Sequence, residues 1–434
     1  MADTTALSSI LELLGEAIGD HYEFDTTTNI TTNNYVYSTA LNSVDKTADD
    51  RFNSWSLYVS GGNNTVDRVV KDYTTSGGRL EVYGAALSSE SGAITCQLHK
   101  YSRAKKVNAI NQAINELFPT TSIPLDNKDL ITGNILPPFN WSTTALLDVY
   151  TEPSGTLLKN TDKAYIWNGT TSAKITASGS NDYLYVTSDD YPRLLDLMDR
   201  QVDYKCWVYP EVADDAFLTI YTLKSDGTAQ TLNSTTTTYA SKKNLIEMVD
   251  QAISDDIQKI ELRMRVATNT KYSYFDAPRL IGQNIFEYLL PDDFQNGILS
   301  EVYIQTSGHA DDPCDDLQPE CWQQVYGFDP AVWVDGFKYV RLDGLYPQER
   351  RIRLKGAKTL EALTSATDTI TLTEPQLRVL VAKSAELLYR SLSSEVSSED
   401  RGFFDAEWVK WKLEARSLSR LSKSTVNTSI NLSW

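Results

Sequence analysis

The chain is poor in what most catalytic or metal-binding frameworks need. Its 434 residues include only 4 Cys and 3 His, too few for a Cys/His zinc framework. The histidines, His21, His99 and His309, stand apart from any Cys or acid in a recognisable nucleophile or metal arrangement. P-loop, GxGxxG, HExxH and GxSxG patterns are absent, which removes the familiar phosphate cradles, dinucleotide turns, zincin helices and nucleophile elbows. No run approaches the roughly 18 apolar residues of a membrane span. The N-terminal stretch MADTTALSSILELLGEAIGD has neither the cationic start nor the small-residue cleavage site of a secretory signal. The expectation is a soluble chain made in the cytosol, with no membrane partner. Positive charge is also scarce: 40 Lys plus Arg against 58 Asp plus Glu leave a net charge of −18. That balance does not suit a clamp gripping phosphates along its whole length.

What is present describes a folded, β-rich protein. Hydrophobic residues make up 41% and charged residues 23%, ordinary globular proportions that exclude wholesale disorder. The length predicts about two to four domains. The 24 Tyr, 9 Trp and repeated Thr/Ser/Asn runs suit pleated, amphipathic surfaces.

Residues 4–19 predict a helix, with Leu7, Ile10, Leu11, Leu14 and Ile18 at helical spacing and Thr4 or Thr5 at its cap. From about 21 to 98, VYSTAL, WSLYVSG, RVVKDYT and RLEVYGAAL predict strands separated by Gly-rich turns. A second helix is expected at about 103–117, ended by Pro119. The segment PTTSIPLDNKDLITGNILPPF has the composition of a linker, with a boundary near 130. Strands then recur through 133–282 without intervening helices, as in a sandwich or jelly roll. KNLIEMVDQAI (243–253) fits a helix or a strand edge equally. After 284 come more strands and then a helix with Thr373 or Glu374 at its cap and Pro375 in its first turn. Its stripe is Leu377, Leu380, Val381, Ser384, Leu387 and Leu388. A last helix is expected at 398–420, carrying Phe404, Trp408, Trp411, Leu413 and Leu418, before an extended tail, STVNTSINLSW. The fold class that follows is α+β. Residues 1–130 and 284–434 form a split helix-plus-β scaffold, and 133–282 form an inserted all-β sandwich (jelly roll).

Three groups of side chains are candidates for function. Trp141, Trp167, Tyr185 and Trp207, with Tyr183 and Tyr209, place aromatic rings in the sandwich, where sugar rings can stack on them or where they simply fill a core. Lys338, Arg341, Arg350, Arg351, Arg353, Lys355 and Lys358 form a basic cluster suited to an acidic partner surface or to a DNA channel. His99, Lys100, Arg103, Lys105 and Lys106 form a smaller one. Adjacent acids such as Asp189-Asp190, Asp292-Asp293 and Asp311-Asp312 are better explained by turns than by a catalytic pair, because glycoside hydrolysis needs carboxylates about 5–10 Å apart across a cleft. Cys314 and Cys321, with six residues between them, can bridge or stay reduced; Cys96 and Cys206 sit in strand patterns as core.

Two resemblances follow from these residues. RVVKDYTTSGGRLEVYGAALSSESGAITCQLHKYSRAKKVNAINQAINELFP and TDTITLTEPQLRVLVAKSAELLYRSL resemble stretches of tailed-phage head-to-tail connector (neck or adaptor) proteins, over about 60–125 and 335–420. The middle module is similar to carbohydrate-binding jelly rolls, through Ser172-Ala173-Lys174-Ile175-Thr176 and Tyr274-Phe275-Asp276-Ala277-Pro278-Arg279-Leu280. The first resemblance implies a structural virion protein without catalysis or cofactor. It forms a homo-oligomeric ring, often twelvefold, against the portal and other neck or tail proteins. Genomic double-stranded DNA passes through it without sequence recognition. The second implies a glycan as ligand and makes Asp276 a weak metal candidate, since that family's last Asp often helps hold a structural calcium. Asn134 and Pro137-Pro138 stand where an early acidic partner is expected. The alternatives are a receptor-binding or tail-associated glycan-binding protein, or a carbohydrate-active enzyme, for which no acid pair can be named.

Overall fold

A computed structural model describes residues 4–44, 48–63, 67–119, 121–312, 319–334, 336–365, 367–372, 374–395 and 398–426. Cys314, the cap residue Thr373 and the tail from 427 onward lie outside these described residues. The chain divides into two compact units. One joins Met1–Ile123 to Thr359–Trp434, and the other is Pro124–Lys358. Residues 284–358, expected with the flanking scaffold, therefore belong with the sandwich. The reason is physical: strands of this segment hydrogen-bond to one another and to the stretch just before the sandwich, described below.

In the first unit, helix α1 (Leu7–Ile18) buries Leu7, Ile10, Leu11 and Leu14. It has no side-chain cap: Thr5 is extended, and its hydroxyl donates to the Leu372 carbonyl at 3.0 Å. Gly19, in the left-handed region at φ 69°, ends the helix, as a residue without Cβ does readily. Six strands follow: β1 (His21–Asp25), β2 (Tyr35–Tyr37), β3 (Ser56–Val59), β4 (Arg68–Thr74), β5 (Arg79–Val82) and β6 (Thr95–His99). They form one sheet in the order β1-β6-β3-β4-β5-β2, antiparallel throughout. Helix α2 (Arg103–Leu117) matches its expected span, and α3 (Gln376–Glu395) begins just after Pro375. Helix α4 (Ser398–Val426) runs past 420, so residues 421–426 are helical and not extended. The apolar stripes of α1, α2 and α3 meet in one cluster, with Phe404, Trp408, Trp411 and Leu418 of α4 packed on it.

The second unit opens with β7 (Ile123–Ile131), a strand where the composition predicted a linker. It is held as the edge of a small sheet, a tertiary pairing that overrides its weak local signal. The sandwich follows. Its strands are β8 (Thr156–Asn160), β9 (Ser172–Thr176), β10 (Asp182–Thr187), β11 (Gln201–Pro210), β12 (Ala216–Lys224), β13 (Ala229–Asn233), β14 (Asn244–Ala252), β15 (Ile257–Val266) and β16 (Tyr272–Ile281). A five-stranded sheet, β8-β9-β16-β11-β14, and a four-stranded sheet, β10-β15-β12-β13, enclose one large apolar core. KNLIEMVDQAI is thus a strand, β14. Strict alternation of buried and less buried positions along β11 shows the two-residue period that fixes which side chains face out.

Further strands of this unit are β17 (Glu287–Leu289), β18 (Ile298–Gln305), β19 (Trp322–Val325), β20 (Phe328–Val334), β21 (Phe337–Leu342) and β22 (Arg351–Lys358). They pair as β19-β18-β22-β7 and β17-β21-β20 around a core of their own. Among the described residues no helix is long and apolar enough to cross a membrane.

Candidate functional site

The two sheets of the sandwich present different outer faces. On the five-stranded sheet, the outward residues of β11 and β16 include Lys205, Trp207, Tyr209, Tyr274, Asp276 and Arg279. The chain itself covers this face. From the loop between β8 and β9, Tyr165 stacks on Tyr274 (centroids 4.0 Å apart, 4° between planes) and Trp167 on Trp207 (3.9 Å, 22°). Asp276 fastens that loop, one carboxylate oxygen accepting the backbone N–H groups of Trp167 and Asn168 and the other accepting Ala277 N–H at 2.7 Å. Burial pushes the Asp276 carboxyl up to about 7 despite these donors. Such an inward set of N–H groups does not fit a cation ligand, so Asp276 acts here as a loop anchor. The neighbouring Asp129, partly buried, is likewise raised by burial, with Oδ1 unpartnered.

The same face carries a buried charge network. Arg279, 1% exposed, pairs with Asp311 and lies 3.5 Å from Glu349. Lys205 reaches Glu349 at 3.1 Å, and Trp207 Nε1 donates to Asp311 Oδ1 at 2.7 Å. Burial opposes ionisation of Asp311, but the hydrogen bonds from Arg279 and Trp207 hold its carboxyl below the usual range. Asp311-Asp312 is therefore not a solvated turn alone: Asp311, with Glu349, neutralises a buried arginine.

The sequence candidates are thus dispersed. Trp141 belongs to the sandwich core; Trp167 and Trp207 stack on each other; only Tyr185 and Tyr183 lie on the open face described next. The basic cluster also dissolves. Lys338 is buried and donates to the Gly297 carbonyl at 2.7 Å. Arg341 pairs with Glu287, Arg353 with Asp126 and Lys358 with Asp293. Arg351 donates to the Ala310 carbonyl at 2.5 Å, Lys355 sits over the Tyr303 ring, and Arg350 Nη1 is buried without a partner. Residues close in sequence fall on separate strands, and carboxylates take up the charge of three of them.

The outer face of the four-stranded sheet is different. Strand register places Tyr183 opposite Arg265 and Tyr185 opposite Arg263 on one side, and Phe217 opposite Arg265 and Tyr221 opposite Glu261 on the other. The Arg263 guanidinium lies between Tyr183 (4.7 Å) and Tyr221 (4.4 Å), and Arg265 between Tyr183 (5.4 Å) and Phe217 (5.3 Å). All five side chains are partly exposed. Arg263 is balanced by Glu261 at 2.6 Å. Arg265 donates only to the Asn181 carbonyl, at 3.2 Å, and its Nε has no partner. Alternation of Tyr and Arg along YLYVT and ELRMRV is the signal that could have singled out this face.

A further cluster joins His99 and Lys106 of the smaller basic group to residues that the sequence did not connect with them. His21 on β1 and His99 on β6 are register partners with rings 5.2 Å apart. Lys106 of α2 is fully buried, bonding Asp20 at 2.6 Å and His99 Nδ1 at 3.0 Å. Burial, then the Lys106 charge, lowers His99 to about 2, and the same causes lower His21. Carboxylate oxygens of Glu12 and Glu23 and a ring nitrogen of His21 lie within 4.8 Å of one another.

No protein-family model matches the chain, and no curated protein matches it. Among solved structures, the C-terminal family 22 carbohydrate-binding module of Clostridium thermocellum Xyn10B is similar at 14% identity and a TM-score of 0.29, covering 35% of this chain and 95% of that one. The xylan-binding CBM22-1 domain of Paenibacillus barcinonensis Xyn10C gives 11% and 0.26, covering 38% and 97%. The enzymatically active domain of bacteriophage CBA120 tailspike protein 4 gives 12% and 0.26, covering 35% and 22%. At such scores they add nothing to what the strand pairing establishes: residues 156–281 form a two-sheet β-sandwich.

Proposed function

We propose that this chain is a non-catalytic, tail-associated protein of a phage virion that recognises glycans through the outer face of its four-stranded sheet. The observation that carries this reading is the Tyr183–Arg265–Phe217 and Tyr183–Arg263–Tyr221 ladder, open where the aromatics of the five-stranded face are covered. Aromatic faces are electron-rich and meet the C–H edges of sugar rings. The partly exposed Arg265 guanidinium supplies a charge-assisted donor for a hydroxyl or carboxylate. The virion setting rests on the sequence resemblance over 60–125 and 335–420. The experiment is a glycan array that includes neutral and uronic-acid saccharides. Tyr183→Ala and Arg265→Ala are expected to lower binding of any hit at least tenfold, with Trp207→Phe near wild type. Absence of any hit, or loss confined to the Trp207 variant, rejects this face.

A second reading, the head-to-tail connector ring, is favoured by exposed apolar side chains. On α4, Phe403, Val409 and Leu413 are 56%, 50% and 62% exposed, and in the second unit Tyr326, Trp333 and Leu345 are exposed. Apolar side chains left in water mark interaction surfaces, and acidic walls repel passing DNA. Particle images with the protein labelled discriminate the readings: density at the portal vertex supports the ring, and density at the tail periphery supports the glycan module.

A further inference from the structure

We propose that Glu12, His21 and Glu23 form a binding site for a divalent first-row transition metal, with Zn2+ as the probe. His21 and Glu23 are two residues apart on β1, hence on one face of the strand. Glu12 comes from α1, one helical turn before Gly15. A Cβ on Gly15 would sit 2.5 Å from His21 Cβ, so glycine alone lets the helix approach closely enough to bring Glu12 over the imidazole.

Three observations converge on a ligand. The potential donor atoms lie within 4.8 Å of one another, and metal–ligand bonds of about 2.0–2.2 Å draw such atoms together. The two exposed glutamates form the rim and can make that adjustment by rotation. Both ring nitrogens of His21 are buried without a hydrogen-bond partner, whereas buried polar atoms are ordinarily satisfied. Gln97 Nε2 donates to Glu23 Oε2 at 2.9 Å, orienting the carboxylate while leaving Oε1 available. Lys106, which bonds His99 beside this cluster, is matched by Asp20. Two carboxylates balance a divalent charge, and the imidazole favours zinc-like ions over magnesium or calcium. Three protein ligands leave positions for water.

The test is calorimetric titration of the metal-stripped full chain with Zn2+, alongside melting temperature with and without the ion. One equivalent per chain is expected, with a rise in melting temperature. Glu12→Gln and Glu23→Gln, both on the exposed rim, should each weaken binding tenfold or more and diminish the thermal shift, and His21→Ala should remove both. His309→Ala, an exposed histidine of the other unit, should leave them unchanged. No stoichiometric binding by the wild type, or wild-type affinity in both glutamate variants, overturns the proposal.

Discussion

Arg279 and Asp276 carry much of the logic of the sandwich at the level of single side chains. Both project from β16 onto the outer face of the five-stranded sheet, where alternation alone would put solvated residues. The Arg279 guanidinium is buried because Asp311 and Glu349 meet it. The Asp276 carboxylate is buried because the loop carrying Trp167 and Asn168 folds over it. Its pH consequence has a definite sign. Burial raises Asp276 to about 7, whereas an unfolded Asp titrates near 3.9, so between roughly pH 4 and 7 the folded chain holds a proton that the unfolded chain does not. The contribution of this residue to stability is therefore greatest in acid and declines as pH rises, by roughly 4 kcal/mol over the window. Urea midpoints of wild type and Asp276→Asn should show the variant's deficit larger at pH 5 than at pH 8; a deficit independent of pH excludes a proton on Asp276.

At the scale of elements, the α1–β1 corner is set by backbone approach. Asp20 N–H bonds the Gly15 carbonyl at 3.0 Å, and Gly19 N–H the Glu16 carbonyl at 3.2 Å. Gly15→Ala forces a methyl group into His21 Cβ and should cost about 1–3 kcal/mol, read as a lower urea midpoint; an unchanged midpoint would mean that the helix and strand are not so closely held. The helices show how far periodicity reaches. The stripe of α1 (Leu7, Ile10, Leu11, Leu14) was legible because each apolar residue returns every three or four positions. On α4, Phe404, Trp408 and Trp411 pack inward, whereas Leu413 lies off that stripe and is exposed. β7 had no such signature: Pro, Asn and Gly surround it, and pairing with β22 makes it a strand.

For the whole molecule, assembly is the open functional quantity. The exposed apolar residues of α4 predict self-association: mass photometry of the full chain should show a multimer that Leu413→Asp with Val409→Asp dissociates, and a wild-type monomer at high concentration removes the ring reading. The sequence by itself determined composition class, the amphipathic helices and the β-rich module, because hydrophobic period and turn chemistry act over a few residues. Only tertiary structure decided which aromatics are covered, that the basic run is split between β21 and β22 and partly matched by acids, that 284–358 joins the sandwich's unit, and that Glu12 meets His21 and Glu23. Each of these depends on strand order and side-chain burial, and the pairing of residues tens or hundreds of positions apart leaves no local pattern in the chain.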